Sequence, residues 1–250
     1  MPNILVTNDD GIAAPGLRAL AKSLTSIGTV TIVAPSHERS AAAQSVTLRQ
    51  PIFCEQIAER EWSIEGTPAD AVILAFHTLL TERPDLVVSG INRGANLGEN
   101  VYYSGTIGAA MEGAINRVPS IAISVASRAK EVDFTPAADF IQRLAPLVLR
   151  EGLPKGVLLN VNVPNPWNGG VRFTRQSPKI TRNVLQKGED PRGRTYYWLN
   201  EQKITEDIAA NTDHAAILAG EVSVTPLVID HTDAPSLNHL SHWKRLLEEK

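Results

Sequence analysis

Short runs of apolar, mostly β-branched residues alternate with longer segments of helical periodicity through the first 164 residues, and this alternation constrains the fold more than any other feature. Ile4 to Thr7, Val30 to Ala34, Leu86 to Val88, Ile121 to Val125 and Val157 to Val163 read as strands. They are apolar without interruption, as strands covered on both faces are. Between them, Pro15 to Leu24 carries Leu17, Leu20, Ala21 and Leu24 on one helical face. Thr67-Pro68-Ala69-Asp70 opens a second helix, with a capping residue, a proline for the first turn and an acid in capping-box position. Gly105 to Asn116 is a third, built of small residues, and Pro136 to Leu149 a fourth. The expected architecture is α/β: a Rossmann-like, doubly wound and mostly parallel sheet. Val46 to Leu48 and Ile52 to Glu55 suggest a small hairpin extending it.

The pattern changes after Pro164. Arg172 to Gln176, Tyr196 to Leu199 and Val222 to Pro226 read as separate strands, and Ser236 to Glu249 as a terminal helix. Arg172, Arg175, Lys179, Arg182, Lys187, Arg192 and Arg194 make the stretch between them basic, as in a projecting β-hairpin arm. We therefore expect one unit over residues 1–250, with a core over 1–164 and an extension over 165–250. Tyr196 to Leu199 shows no intrachain partner in the sequence. Unpaired strands recruit other chains, so the extension is expected to serve oligomerisation.

The 250 residues are 43% hydrophobic and carry a net charge of −3, so a core can form without disulfides and no global field favours nucleic acid or an anionic membrane. Aromatic residues are only 5%, too few for base-stacking platforms, and no stable nucleic-acid complex is expected. The one cysteine, Cys54, fits a reducing compartment and reads as a buried strand filler. No signal-like N-terminus or membrane-length apolar run is visible, so the expectation is cytoplasmic.

The chemistry collects in the loops at the strands' carboxyl ends, where open α/β sheets bind ligands. Asn8-Asp9-Asp10-Gly11 follows the first strand. Two carboxylates that converge in a turn repel unless a cation lies between them. The pair alone leaves two readings open, a divalent cation site or a polar turn that caps the next helix. Pro35 to Ser40 follows the second strand, and Ser89 to Gly98 the third, with three glycines, Asn92, Asn96 and Arg93 in ten residues. The oxygen donors Asp9, Asp10, Ser40 and Asn92 suit a hard cation such as Mg²⁺ or Mn²⁺. Tyr103-Ser104-Gly105-Thr106 then opens the small-residue helix, and a helix start with hydroxyl neighbours suits phosphate. Gly105 there reads as a glycine that allows a backbone angle closed to other residues or leaves room for a phosphate against the main chain, with plain packing against the sheet as the alternative. Walker, dinucleotide and nucleophile-elbow fingerprints are absent. His239 and His242 on the tail lack the further ligands that a zinc site needs.

These segments resemble the SurE (survival protein E) nucleotidases. The likeness runs through Val6 to Gly11, Ala34-Pro35 with Glu38-Arg39-Ser40, Gly66 to Asp70, Ser89 to Gly98, Tyr103 to Thr106, Arg172 to Gln176 and Val222 to Pro226. It departs at Asn211, where the family often has an acid, and at Ala71, where cysteine is frequent. The resemblance implies one divalent metal per subunit held by Asp9, Asp10, Ser40 and Asn92. It implies hydrolysis of nucleoside 5′- and 3′-monophosphates, with short polyphosphate as a further substrate of some members. It also implies a homodimer or homotetramer with exchanged C-terminal elements. On this reading Asp9 and Asp10 are catalytic, while Asn96, Ser104, Gly105 and Thr106 bind the phosphate. An aspartyl-phosphate intermediate stays open, and the rival readings are a nucleotide-binding regulator without turnover and a phosphatase acting mainly on short polyphosphate.

Overall fold

The structure is a computed structural model, and it describes residues 1–127, 129–178, 181–203 and 208–248. Strands β1 (Asn3–Thr7), β2 (Thr29–Pro35), β3 (Cys54–Ala58) and β4 (Glu61–Ile64) alternate in the chain with helices α1 (Pro15–Leu24) and α2 (Pro68–Leu74). Then come β5 (Leu86–Arg93), α3 (Gly105–Ile115), β6 (Ser120–Ala126), α4 (Thr135–Glu151) and β7 (Val157–Pro164). The remainder forms β8 (Val171–Phe173), β9 (Thr181–Glu189), β10 (Thr195–Lys203), α5 (Asp213–Leu218), β11 (Val222–Val228), α6 (Ala234–Leu240) and α7 (Trp243–Glu248).

A nine-stranded sheet runs β3-β4-β2-β1-β5-β6-β7-β11-β8, parallel from β4 to β7 and antiparallel at β3/β4 and β7/β11. Its central strands are buried on both faces because successive side chains alternate. Ile4 and Val6 join the core under α1 and α4, while Leu5 between them joins the core under α2 and α3. Leu86 and Val88 repeat this around Val87. The helices match that demand. α1 buries Leu17, Leu20, Ala21 and Leu24, and α4 buries Ala137, Phe140, Ile141, Ala145 and Val148, each as one stripe. α3 instead packs closely through small residues. A Cβ on Gly113 would lie 2.9 Å from Val87 Cγ2 on the sheet.

The start of α2 carries the predicted capping box. Thr67 Oγ1 accepts from Asp70 N at 3.1 Å, and Asp70 Oδ2 accepts from Thr67 N at 2.8 Å. Asp70 also receives Thr47 N and Thr47 Oγ1, at 3.0 and 2.6 Å, tying an otherwise irregular loop to the helix.

Five expectations change. The added hairpin is β3–β4, not residues 46–48 with 52–55, because Val46 and Leu48 are exposed while β3 pairs with β4 and β4 in turn joins β2. Cys54 is exposed on that edge rather than buried. Tyr196 to Leu199 has an intrachain partner after all, since β10 pairs with β9 over nine residues around a turn at Asp190 to Arg194. The terminal helix is two short helices, α6 and α7, that expose Leu237, Leu240, Trp243, Leu246 and Leu247. Lys179 and Glu249 lie outside the described residues. The sheet does not end with β7, because β8 and β11 from beyond residue 164 continue it.

Candidate active site

The chain leaves β1 at Thr7 and turns at once. Asn8 Nδ2 donates to Gly11 O at 3.0 Å, and Gly11 takes φ +100°, a backbone region that strongly favours glycine. The turn is fastened to the loop after β2, with Ile12 N donating to Pro35 O and Arg39 N to Asp9 O, both at 2.7 Å. This brings the loop of Glu38 and Ser40 over the two acids.

Asp9 lies deeper than a solvent-facing turn would put it, at 6% exposure. Its carboxylate sits on the N-terminus of α3, where Thr106 Oγ1 donates to Oδ1 at 2.5 Å. Burial raises its pKa, and the Thr106 hydroxyl with the backbone N–H groups of Thr106 and Gly105 works against that rise. Asp10 is pushed up to about 6, first by burial and next by the neighbouring Asp9 charge, while the Arg93 backbone and guanidinium pull it back. Neither acid forms an ion pair within 4.0 Å among the described residues.

The other predicted donors line the same space. Ser40 Oγ donates its proton to Glu38, which leaves the hydroxyl lone pairs free of that bond. Asn92 Nδ2 donates to Gly94 O at 2.7 Å, which leaves the amide oxygen as the free end. Asp9, Asp10, Ser40, Asn92, Asn96 and Ser104 all line one cavity of about 750 Å³. Ser104 caps α3, its hydroxyl accepting from Ile107 N at 3.2 Å. Gly105 and Thr106 lie beneath the cavity floor, in contact with Asp9. A Cβ on Gly105 would stand 2.8 Å from Asp9 Cβ and 3.0 Å from Asp9 Oδ2.

Three residues that sequence reasoning passed over hold Asn96. Asn96 N donates to Asn162 Oδ1 at 2.8 Å, and Asn160 Nδ2 donates to Asn96 O at 2.8 Å. Asn96 Nδ2 donates to Ser124 Oγ at 2.9 Å. Asn160, Asn162 and Ser124 are fully buried on β7 and β6. The alternation Leu-Asn-Val-Asn-Val in an otherwise apolar strand was the available signal, because two asparagines at that spacing share a face and must find partners.

The family model for "Survival protein SurE" matches residues 4–183, which contain every residue of this cavity except Leu199. The chain belongs to the SurE family. A 5′-nucleotidase SurE of Geobacter sulfurreducens is 46% identical over 245 residues, covering 96% of this chain and 93% of that protein. One from Moorella thermoacetica is 47% identical over 238 residues, covering 92% and 91%. The crystal structure of a SurE protein from Aquifex aeolicus superposes with a TM-score of 0.87 at 38% identity, covering 99% of this chain and all of that one. In this SurE chain no group of three or more His, Cys, Asp or Glu side chains suited to a metal gathers among the described residues. Besides Asp9 and Asp10, the oxygen-bearing side chains of the cavity lining include Glu38, Ser40 and Asn92.

Proposed function

We propose that the chain is a metal-dependent phosphomonoesterase that hydrolyses nucleoside 5′- and 3′-monophosphates to nucleoside and phosphate. The observation that carries this reading is the pair Asp9 and Asp10. They are held side by side at the carboxyl end of β1, without an ion-pair partner among the described residues, in a cavity bounded by the start of α3. Relatives of 42–47% identity that bear the name 5′-nucleotidase support the substrate class.

The donor set fits a divalent cation. Two desolvated carboxylates, Asp10 raised further by the charge of Asp9, lose that penalty when a cation lies between them, and the hydroxyl and amide add neutral oxygens. Asp9, Asp10, Ser40 and Asn92 would hold it, one per subunit, with Mg²⁺ or Mn²⁺ the matching hard ions. When bound, the cation supplies Lewis-acid stabilisation of the phosphoryl oxygens. The chain's own groups do the rest. Asp9 or Asp10 orients the attacking water or takes its proton. Asn96, kept in place by Asn160, Asn162 and Ser124, and Ser104 at the start of α3 donate to the remaining phosphate oxygens. Gly105 and Thr106 act from beneath, the first by leaving space for Asp9 and the second by hydrogen-bonding it.

The same reading treats residues 1–250 as one unit, the extension after residue 164 continuing the core through β8 and β11. It puts the protein in the cytoplasm, on the strength of a single cysteine. It has homodimers or homotetramers using the exposed apolar side chains of α6 and α7. Among the described residues no helix is long and apolar enough to cross a membrane. The test is phosphate release from a panel of nucleoside 5′- and 3′-monophosphates, with and without a chelator. Metal-dependent release is expected. Binding of nucleotides without turnover at saturating Mg²⁺ or Mn²⁺ would leave the regulator reading in its place.

A further inference from the structure

We propose that the β9–β10 hairpin supplies the wall that recognises the nucleobase, with Leu199 and Asn183 facing the base across from Tyr103. This rests on the nucleotidase reading and adds to it the part of the site that distinguishes a nucleotide from any other phosphate ester.

Size comes first. The cavity of about 750 Å³ has the volume of about 25 water molecules in the liquid and lies within the range of whole small-molecule sites. A phosphate beside Asp9, Asp10 and Ser104 fills only one end. The lining is chemically mixed. Acids, amides and hydroxyls stand beside Tyr103, Phe134 and Leu199, which offer apolar surface and have no part in the cation or phosphate set. A phosphate joined to a flat heterocycle needs both kinds of lining.

The hairpin reaches the cavity in a defined way. Leu199 pairs with Leu185 across the two strands, and Asn183 lies two residues from Leu185 on β9, so Leu199 and Asn183 share one face. Both line the cavity that Asp9 and Asp10 floor. Leu199 is 64% exposed and Tyr103 60%, so both keep apolar surface open to an occupant. The Asn183 amide can both donate and accept, as a base edge requires.

The root of the hairpin is fastened to the loop that carries the phosphate contacts. Asp213, fully buried at the start of α5, accepts from Gly98 N at 3.1 Å through Oδ2 and from Ser177 N and Oγ at 3.0 and 2.5 Å through Oδ1. Gln176 Nε2 donates to Gly98 O at 2.7 Å. Thr181 N and Oγ1 donate to Glu99 Oε1 at 2.8 and 2.6 Å. Gly98 and Glu99 lie between Asn96 and Ser104, so the wall and the phosphate end hang from one short segment.

The experiment compares kcat/KM of the full chain, at saturating Mn²⁺, for adenosine 5′-monophosphate and for ribose 5-phosphate, which lacks the base. Leu199→Ala and Asn183→Ala should each lower the nucleotide-to-sugar-phosphate ratio, Leu199→Ala by about tenfold, the scale of one lost packing contact in a specificity pocket. Trp198→Ala, on the opposite face of the same strand, should leave the ratio within twofold. The proposal is overturned if Leu199→Ala and Asn183→Ala leave the ratio unchanged, if both substrates decline in parallel, or if Trp198→Ala lowers the ratio as much. Failure of the parent protein to hydrolyse either ester would instead count against the nucleotidase reading.

Discussion

Replacing Gly105 with alanine separates two roles for one glycine. The sequence suggests that Gly105 leaves room for phosphate. In the structure the space next to its Cα is filled by Asp9. The added Cβ would lie 2.8 Å from Asp9 Cβ, 3.0 Å from Asp9 Oδ2 and 3.1 Å from Pro68 Cγ. Carbon atoms rest at about 3.5–4.0 Å, so roughly 0.7 Å or more must be taken up between α3 and β1. Both elements are buried, and overpacking of this kind costs about 1–3 kcal/mol. The helix-propensity gain of alanine offsets at most about 1 kcal/mol of that. For a chain of this size the net loss lowers Tm by a few degrees, at about 2–4 °C per kcal/mol. The diagnostic effect is on the cation. The 2.5 Å bond from Thr106 to Asp9 fixes this carboxylate, and Mg²⁺ tolerates little distortion of its shell. We expect Gly105→Ala to weaken Mg²⁺ or Mn²⁺ binding by about tenfold or more, measured by titration calorimetry, on the scale of disturbing a ligand's support. Inhibition by inorganic phosphate at saturating metal should change less. Parent-like metal affinity with a raised inhibition constant for phosphate would refute the argument and return the glycine to the phosphate.

Chelation should abolish phosphate release and Mg²⁺ or Mn²⁺ should restore it; full activity in metal-free buffer would show that the paired acids do not serve a cation. Asp9→Asn and Asp10→Asn should each lower turnover by more than the roughly 10- to 100-fold that loss of an outer-shell partner gives, with near-normal turnover at saturating metal the contrary result. Asp10 is protonated more readily in the fold than in the unfolded chain, since its pKa is raised to about 6. Its stabilising effect on the metal-free protein is therefore complete at low pH and disappears as pH rises through about 6. Melting scans of the metal-free protein should show this decline, Asp10→Asn should flatten it, and metal affinity should drop about tenfold for each pH unit below 6. Light scattering should report a dimer or tetramer at working concentration, and a monomer would leave the exposed leucines of α6 and α7 without their proposed role.

The central sheet was legible because its two signals agree. Uninterrupted β-branched runs mark strands covered on both faces, and leucine stripes such as Leu17, Leu20 and Leu24 mark the helices that cover them. The start of α2 was legible for a local reason, since Thr67 and Asp70 satisfy each other's backbone within one turn. The edge hairpin was misplaced because edge strands carry no burial pattern. All five residues of β3 are exposed, and no periodicity separates them from a loop. The partner of β10 was missed for the same reason, because β9 is rich in polar residues and has no run of apolar ones to mark it as a strand.

The site divides along the same line. Residues whose chemistry is visible in one loop, such as Asp9, Asp10, Asn92 and Ser104, could be named from the sequence. Their environment could not, because it comes from residues distant in the chain. Thr106 is 97 positions from Asp9, and Asn162 is 66 positions from Asn96. This reverses the meaning of the start of α3. Read locally, Ser104-Gly105-Thr106 is an open set of donors for any anion. Folded, two of its three residues already serve an anion, and that anion is the carboxylate of Asp9. On the proposed function the helix start would therefore act on the phosphate partly through Asp9, and metal and phosphate would share one set of supports. A Thr106→Val variant tests this linkage, since it keeps the side-chain shape and removes the hydroxyl. It should weaken metal binding and phosphate inhibition together, with Tm little changed. Loss of phosphate inhibition at unaltered metal affinity would show that the two sites are supported separately.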